Sequence, residues 1–438
     1  MIDALLSLDI LDGLFPIAVF VLGAAALVVL LLRPPTRPWL RALAIAVVAG
    51  GASAVLLWLV CVRWLDLFGG SLGIATYLWT AATCMAVAVA VVSLHRTRWW
   101  RRIVASAAVV VFLVCGVVGI NAAFGLNRTV GNLLNVVVPH PVRLAPPSAH
   151  GASPEVGSLW SHWRPPAGMP QTGEQGTVQI PAKASGFHAR SAGIYLPPAA
   201  RTSNPPRLPV VVMLMGQPGN PDPGPVGQVL DAFAQHNHGL APIVVVADQL
   251  GPGGDDTGYL DSARFGKVYT YLTEDVPAFI SSHLNVLSDH RFWTIAGYSN
   301  GGQCAISIGS KRPDLFRTIV DVSGEEFPGS TNPKQSLRDL FASDQAAYDR
   351  AKPLAILSGK QLRTTTAVFT ACVDDPHYLG VARELSEASK AAGMNVTMHA
   401  LPSGGHTLRA LLGGLNAAFS DVYPVLDLSR PGEPARGG

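Results

Sequence analysis

Charge is what this sequence has least of. Only 14% of its 438 residues are Asp, Glu, Lys or Arg, against about 25% in ordinary soluble domains. The net charge is +3, and no basic run with interleaved aromatics occurs, which argues against a nucleic-acid partner. Cysteine is scarce too. Cys61, Cys84, Cys115, Cys304 and Cys372 form no Cys-x-x-Cys pair and no Cys/His cluster at metal-ligand spacing, so neither a metal nor any other cofactor is expected. The first three lie in apolar stretches and read as small buried hydrophobes. Pairing of Cys304 with Cys372 stays open.

Apolar length is abundant. Runs without a formal charge cover Leu14–Leu32, Ala42–Val62, Leu72–Leu94 and Ile103–Leu126, each about as long as the 20 residues a helix needs to cross a bilayer core. A cleaved signal peptide would start basic, whereas Asp3, Asp9 and Asp12 precede the first run, so it reads as a retained transmembrane helix. Arginine counts in the short loops set an orientation. Arg33, Arg37 and Arg41 follow the first run, and Arg96, Arg98, Arg101 and Arg102 follow the third. The second loop carries Arg63 beside Asp66. The first and third loops are therefore expected in the cytoplasm, and everything after residue 126 outside it. The runs lack ionisable residues that mark ion pathways, so an anchor is expected rather than a transporter. Asn121 is read as a helix–helix hydrogen-bonding residue, and Trp39, Trp64, Trp99 and Trp100 as interfacial anchors.

Residues 127–175 are rich in Pro, Gly and Ser and read as an extended tether, with Trp160 and Trp163 expected to pack on the domain or the lipid surface. From residue 176 the pattern alternates. Strands are expected at 176–182, 192–198, 208–215, 242–248, 291–298, 318–324, 366–373 and 396–403. Helical stretches are KVYTYLTEDVPAFISSHL, QCAISIGSK, HYLGVARELSEASKAAG and TLRALLGGLNAAF. Continuous apolar strands alternating with helices imply a mostly parallel eight-stranded α/β sheet covered on both faces, with ligands at the carboxyl ends of its strands. The domain organisation expected is an anchor over 1–126, a linker over 127–175, the α/β domain over 176–428 and a disordered tail over 429–438.

At one strand end stands Gly297-Tyr298-Ser299-Asn300-Gly301. A sharp strand-to-helix turn projects such a serine above the sheet, and the glycines spare neighbouring backbone a Cβ clash. The serine needs a base and the base an orienting carboxylate, in the order Ser, acid, His. His406, in the loop after the last strand beside Gly404 and Gly405, is the base candidate. His377 and the pair His236 and His238 read as surface residues. Asp374 and Asp375 end the seventh strand. Asp375 is favoured as the acid, its bland reading being a helix N-cap before Pro376, and Asp321 is an outside candidate. Oxyanion donors are expected from the backbone N–H groups of Asn300 and of Gln217, in the Met-Gly-Gln-Pro-Gly-Asn loop after the third strand. The Gly-Pro-Gly-Gly-Asp-Asp stretch 251–256 reads as a loop beside the pocket mouth; cation binding by Asp255 and Asp256 lacks a spaced ligand set.

Taken in order, MLMGQPGN, VYTYLTEDVPAFI, WTIAGYSNGG, RPDLFRTIVDVSGE, CVDDP and PSGGHTL resemble the esterase D family of α/β-hydrolases, which includes S-formylglutathione hydrolases and the mycolyltransferases of mycobacterial envelopes. The resemblance spans roughly 176–420. It implies Ser299 as nucleophile, Asp375 as acid, His406 as base, and Gln217 and Asn300 as oxyanion donors. The chain departs from the family with Met215-Gly216 in place of His-Gly and Cys372 in place of Gly. Its composition and anchor are similar to actinobacterial envelope proteins. The function implied is a membrane-anchored extracytoplasmic serine esterase or acyltransferase. Its expected partners are membrane lipids and an ester or lipid-linked small molecule, with no oligomeric state set. A catalytically silent binding or assembly module on the same fold is the alternative.

Overall fold

A computed structural model describes residues 2–65, 73–95, 97–144, 159–430 and 435–437. Asp66, Leu72 and Arg96, linker residues 145–158 and tail residues 431–434 and 438 lie outside the described residues. The chain forms two compact units, Met1–Leu134 and Asn135–Gly438.

Among the described residues, the first unit holds four helices long and apolar enough to cross a membrane: α1 (Leu14–Leu31), α2 (Arg37–Trp58, continued by a π-helical turn to Trp64), α3 (Ile74–Ser93) and α4 (Trp99–Phe124). Small residues bring them together, as expected where lipid removes the hydrophobic drive between helices. A Cβ on Gly50 would come within 2.6 Å of the Met85 backbone, and Gly116 and Gly119 press against Thr83 and Trp79. Leu30, Ala46, Val89, Ala90, Ala105, Ala108 and Phe112 form the interior, while Leu14, Val48, Ile74 and Val110 face outward. At one end of the bundle, Arg33 Nη2 donates to Ser93 O (3.2 Å) and Arg101 Nη2 to Leu32 O (2.7 Å). At the other, Ile10 N–H donates to Arg128 O, and Arg128 pairs with Asp9 at 3.0 Å. Among the described residues, Asn121 makes no interhelical hydrogen bond. Its amide donates to Asn127 O at 2.7 Å, fixing the backbone where the chain leaves α4.

The second unit is built on an eight-stranded sheet. Its strands are β1 (Glu174–Val178), β2 (Ala192–Leu196), β3 (Val210–Leu214), β4 (Ile243–Val246), β5 (Trp293–Tyr298), β6 (Thr318–Val322), β7 (Thr366–Cys372) and β8 (Asn395–Leu401). The order across the sheet is β1-β2-β4-β3-β5-β6-β7-β8; β2 runs antiparallel to both neighbours, and the rest are parallel. Each expected strand is present; β1 and β8 begin earlier than expected, at Glu174 and Asn395, and the others fall within the expected bounds. The Val- and Ile-rich β3 and β4 are buried throughout, because helices cover both faces. Helix α5 (Gly224–His236) packs Phe233 on Phe419 and Tyr423 of α9 (Leu408–Val425). Gly414 of α9 sits on Val322 and Thr370, whereas Gly309 of α7 (Asn300–Lys311) sits on Ile319 and Ile295. Val322 and Ile319 point to opposite faces by strand parity, so α7 covers the other side. Between α5 and α7 lies α6 (Val276–His283), and α8 (Pro376–Ala391) follows β7. This is the α/β-hydrolase architecture.

Leu159 N–H donates to the Asp427 carboxylate at 2.8 Å and the Trp163 indole to His238 O at 3.0 Å, so the linker's end packs on this unit. In the tail, Ala435 N–H donates to Ser420 O and its carbonyl accepts from Ser420 Oγ.

Candidate active site

β5 ends in a turn that holds Ser299 at φ 56°, ψ −119° before α7 begins. Such a conformation costs about 1–3 kcal/mol for a non-glycine residue and persists only where its surroundings enforce it. They do so here. Ser299 N–H donates to Val322 O at 3.0 Å, and Ser299 O accepts from Gly302 (2.9 Å), Gln303 (3.1 Å) and Glu325 (3.1 Å). A Cβ on Gly297 would lie 2.0 Å from Gly301 O, and one on Gly301 2.1 Å from Leu214 O, so both glycines are demanded by backbone contact.

Ser299 is 5% exposed, and its Oγ lies 2.8 Å from His406 Nε2. The imidazole is stacked between Tyr378 (3.8 Å between centroids) and Tyr298 (4.9 Å). Burial, then the charge of His377, pushes the His406 pKa down to about 4, so the ring is neutral and ready to accept a proton near neutral pH. Its Nδ1 is 3.9 Å from Asp375 Oδ2 and makes no hydrogen bond. Asp375 occupies the N-cap position of α8 without a side-chain cap bond, and burial raises its pKa.

Asp374 does something else. It accepts the N–H groups of Gly404 (3.1 Å) and Gly405 (2.9 Å), and those two bonds hold its pKa down. It therefore braces the loop that carries His406. Cys372 packs its sulfur against the same loop, 2.9 Å from where a Gly404 Cβ would stand. Cys304 and Cys372 are both free thiols. Asp321 is buried with neither oxygen hydrogen-bonded; burial pushes its pKa up to about 7, and it faces Gly302 and Gly324 rather than His406. His377, His236 and His238 are exposed.

Asn300 opens α7, so its N–H, like others of a first helical turn, has no partner within the helix. Gly216 brings the β3 loop against Ser299, a Cβ there meeting the serine Cβ at 3.3 Å. Next comes the cis Gln217–Pro218 bond. The Gln217 amide donates to Gly254 O at 3.0 Å. Buried Arg190 steadies this loop through Gly219 O (3.0 Å) and Asn220 Oδ1 (3.0 Å) while paired with Asp248 at 2.7 Å.

Two acids complete the surroundings: Asp256, which the sequence placed in a loop beside the pocket mouth without a role at Ser299, and Glu325, which sequence reasoning missed. Asp256 Oδ1 accepts from Asn300 Nδ2 at 3.1 Å and from Gly258 N–H at 2.9 Å. Glu325 is 3% exposed, and the Asn300 side chain beside it works to lower its pKa. Both look like ordinary loop acids in the sequence; no periodicity marks them. Among the described residues, no three His, Cys, Asp or Glu side chains converge to hold a metal.

An uncharacterized protein of Corynebacterium glutamicum is 34% identical over 248 residues, 53% of this chain and 58% of that protein, so the chain spans little more than half the length of the curated relative it matches. A ferulic acid esterase structure aligns over 59% of this chain and 98% of its own, with TM-score 0.49 and 20% identity. An S-formylglutathione hydrolase from Agrobacterium tumefaciens aligns over 57% and 94%, with TM-score 0.47 and 21% identity. The family model described as putative esterase matches residues 188–421, more than half of the sequence, and the chain belongs to that esterase family.

Proposed function

We propose that this chain is a membrane-anchored, extracytoplasmic serine esterase or acyltransferase acting on an ester-linked lipid or envelope substrate. The observation that carries the reading is the 2.8 Å contact between Ser299 Oγ and a neutral His406 Nε2 at a strained elbow in an esterase-family domain. Ser299 Oγ attacks the ester carbonyl as His406 takes its proton. The carbonyl oxygen, now negative, is bound by the N–H groups of Gln217 and Asn300. Collapse breaks the bond to the leaving alcohol, which receives the proton from His406. Water or an acceptor hydroxyl then enters by the reverse path and releases the acyl group. Asp375 stabilises the imidazolium at each stage. The apolar helices α1–α4 support a substrate resident in or beside lipid, such as an acylated or aminoacylated lipid or a mycolyl ester.

The test uses the full chain in detergent with short p-nitrophenyl esters and a fluorophosphonate probe. Wild type should turn over the esters and take the probe on Ser299, whereas Ser299→Ala should lose kcat by a factor on the order of 10⁴ or more. Equal turnover by the two proteins would sink the assignment. An unlabelled, inactive wild type would favour a silent binding module, the reading to which the long Asp375–His406 separation of 3.9 Å lends support.

A further inference from the structure

Asn300 has a neighbourhood that a helix N-terminus does not require. Its side chain is buried, and each polar atom is used. Nδ2 donates to Asp256 at 3.1 Å and lies beside Glu325, whose pKa it works to lower, while Oδ1 accepts from the Cys304 thiol at 3.7 Å. Asp256 belongs to the loop after β4 and Glu325 to the loop after β6, so one amide ties together two loops on either side of the elbow. Glu325 also reaches the nucleophile through backbone, its N–H donating to Ser299 O at 3.1 Å. Around the two carboxyls, Gly258 N–H donates to Asp256 (2.9 Å) and Ser330 Oγ to Glu325 (3.5 Å), and the Gly329 backbone also works to lower the Asp256 pKa. Among the described residues, no Lys or Arg forms an ion pair with either carboxyl. Two acids without a cation, placed on one amide, are costly for stability alone.

We infer that Asp256 and Glu325 are positioning residues of the esterase reaction, which act through the Asn300 side chain to hold the first N–H of α7 beside Ser299. The inference rests on the proposed roles of Ser299 as nucleophile and Asn300 N–H as oxyanion donor. An oxyanion donor works only when fixed in advance, and Asn300 lies in the first turn of α7, where its N–H has no helical partner to fix it. The amide clamp supplies that restraint from the side chain.

The clamp has a protonation requirement. One amide nitrogen can donate a hydrogen to each acid, but two carboxylates repel across it. Burial, then the charge of Asp256, pushes the Glu325 pKa up to about 8, and burial raises that of Asp256. The other titratable groups facing the pair are Cys304 of α7, Tyr378 of α8 and Tyr348 of the helix Gln345–Ala351. All are raised, chiefly by burial, and stay neutral in this range. Near neutral pH Glu325 therefore keeps its proton. As pH rises through about 8 Glu325 gains a charge beside Asp256, and repulsion between the two acids works against the clamp.

The experiment is a kcat and KM pH profile with a p-nitrophenyl ester for wild type, Glu325→Gln, Asp256→Asn, Glu325→Ala and Asn300→Ala, in the full chain. The expected wild-type kcat falls with a midpoint near 8. Glu325→Ala and Asn300→Ala lose kcat by about 10-fold or more, within the range seen when oxyanion donors are disturbed, with KM little moved. Glu325→Gln, which mimics the protonated acid, recovers most of what Glu325→Ala loses. In both Glu325→Gln and Asp256→Asn the alkaline fall moves up by about one pH unit or more, because the two acids can no longer both be charged. The same alkaline fall in wild type and both amide variants would overturn the inference, as would Ala variants that change KM alone. A wild type that neither hydrolyses the ester nor takes a fluorophosphonate on Ser299 would instead remove the reading beneath it.

Discussion

His406 touches a serine, two tyrosine rings and no carboxylate at hydrogen-bonding distance. Its two acidic neighbours divide the work: Asp374 binds the backbone of the His406 loop, and Asp375 faces Nδ1 across 3.9 Å. Catalytic hydrogen bonds are often long without substrate and tighten in the reacting complex, so the free carboxylate is the one available to the imidazolium. Asp375→Asn should lower kcat by about 10³–10⁴-fold, the scale of losing a triad acid. Asp374→Asn keeps an oxygen that can accept a glycine N–H and should cost less than about 10-fold. Steady-state kinetics of the two variants decide the matter, and the reverse ranking would make Asp374 the acid. The base also predicts the acid limb. A histidine works as base only when neutral, and burial places its pKa at about 4. The kcat/KM of the free enzyme should therefore rise through that value and be level before neutrality.

The elbow is the element on which every site distance depends, and its glycines bear most of the constraint. Ala at position 301 would put a methyl group 2.1 Å from Leu214 O of β3, backbone that cannot swing aside as a side chain can. Gly301→Ala should destabilise the fold by about 1–3 kcal/mol or more and abolish fluorophosphonate labelling of Ser299. Gly380→Ala, in α8 with open space around its Cβ, should raise stability by a few tenths to about 1 kcal/mol and leave labelling intact. Melting curves and labelling of both proteins test this; a labelled, undiminished Gly301→Ala would show that the turn tolerates what the geometry forbids. At this scale the sequence was readable where local chemistry is loud. Continuous Val and Ile runs marked the strands, and Gly-x-Ser-x-Gly and the His406 loop marked their carboxyl ends. Helix α5 was not foreseen, because it opens on the Pro-Asp-Pro-Gly-Pro segment that reads as loop, although proline fits a first helical turn. Three short helices, Pro333–Phe341, Gln345–Ala351 and Pro353–Leu357, escaped for want of length. Asp256, Glu325 and Asn300 escaped as a group because only the sheet order brings the loops after β4, β5 and β6 together.

For the whole molecule, the open question is the side of the membrane on which Ser299 works. Arginine-rich loops are retained in the cytoplasm. The loops before α2 and before α4 carry the arginines, and they meet at one end of the bundle, where Arg33 reaches Ser93 O and Arg101 reaches Leu32 O. Asp9, Asp12 and the exit from α4 share the other end through Arg128. On the proposed reading, an even number of crossings would deliver the esterase domain to the side opposite the arginines, where the proposed envelope ester would be met. Cysteine placed at exposed positions can read this directly, since the native thiols lie either within the spans or buried in the domain. In intact cells Ser203→Cys, on the domain surface, should react with a membrane-impermeant maleimide, and Thr36→Cys, between α1 and α2, should react only after permeabilisation. The opposite pattern would put the domain in the cytoplasm and redirect the substrate search to soluble thioesters and esters, with the chemistry at Ser299 unchanged.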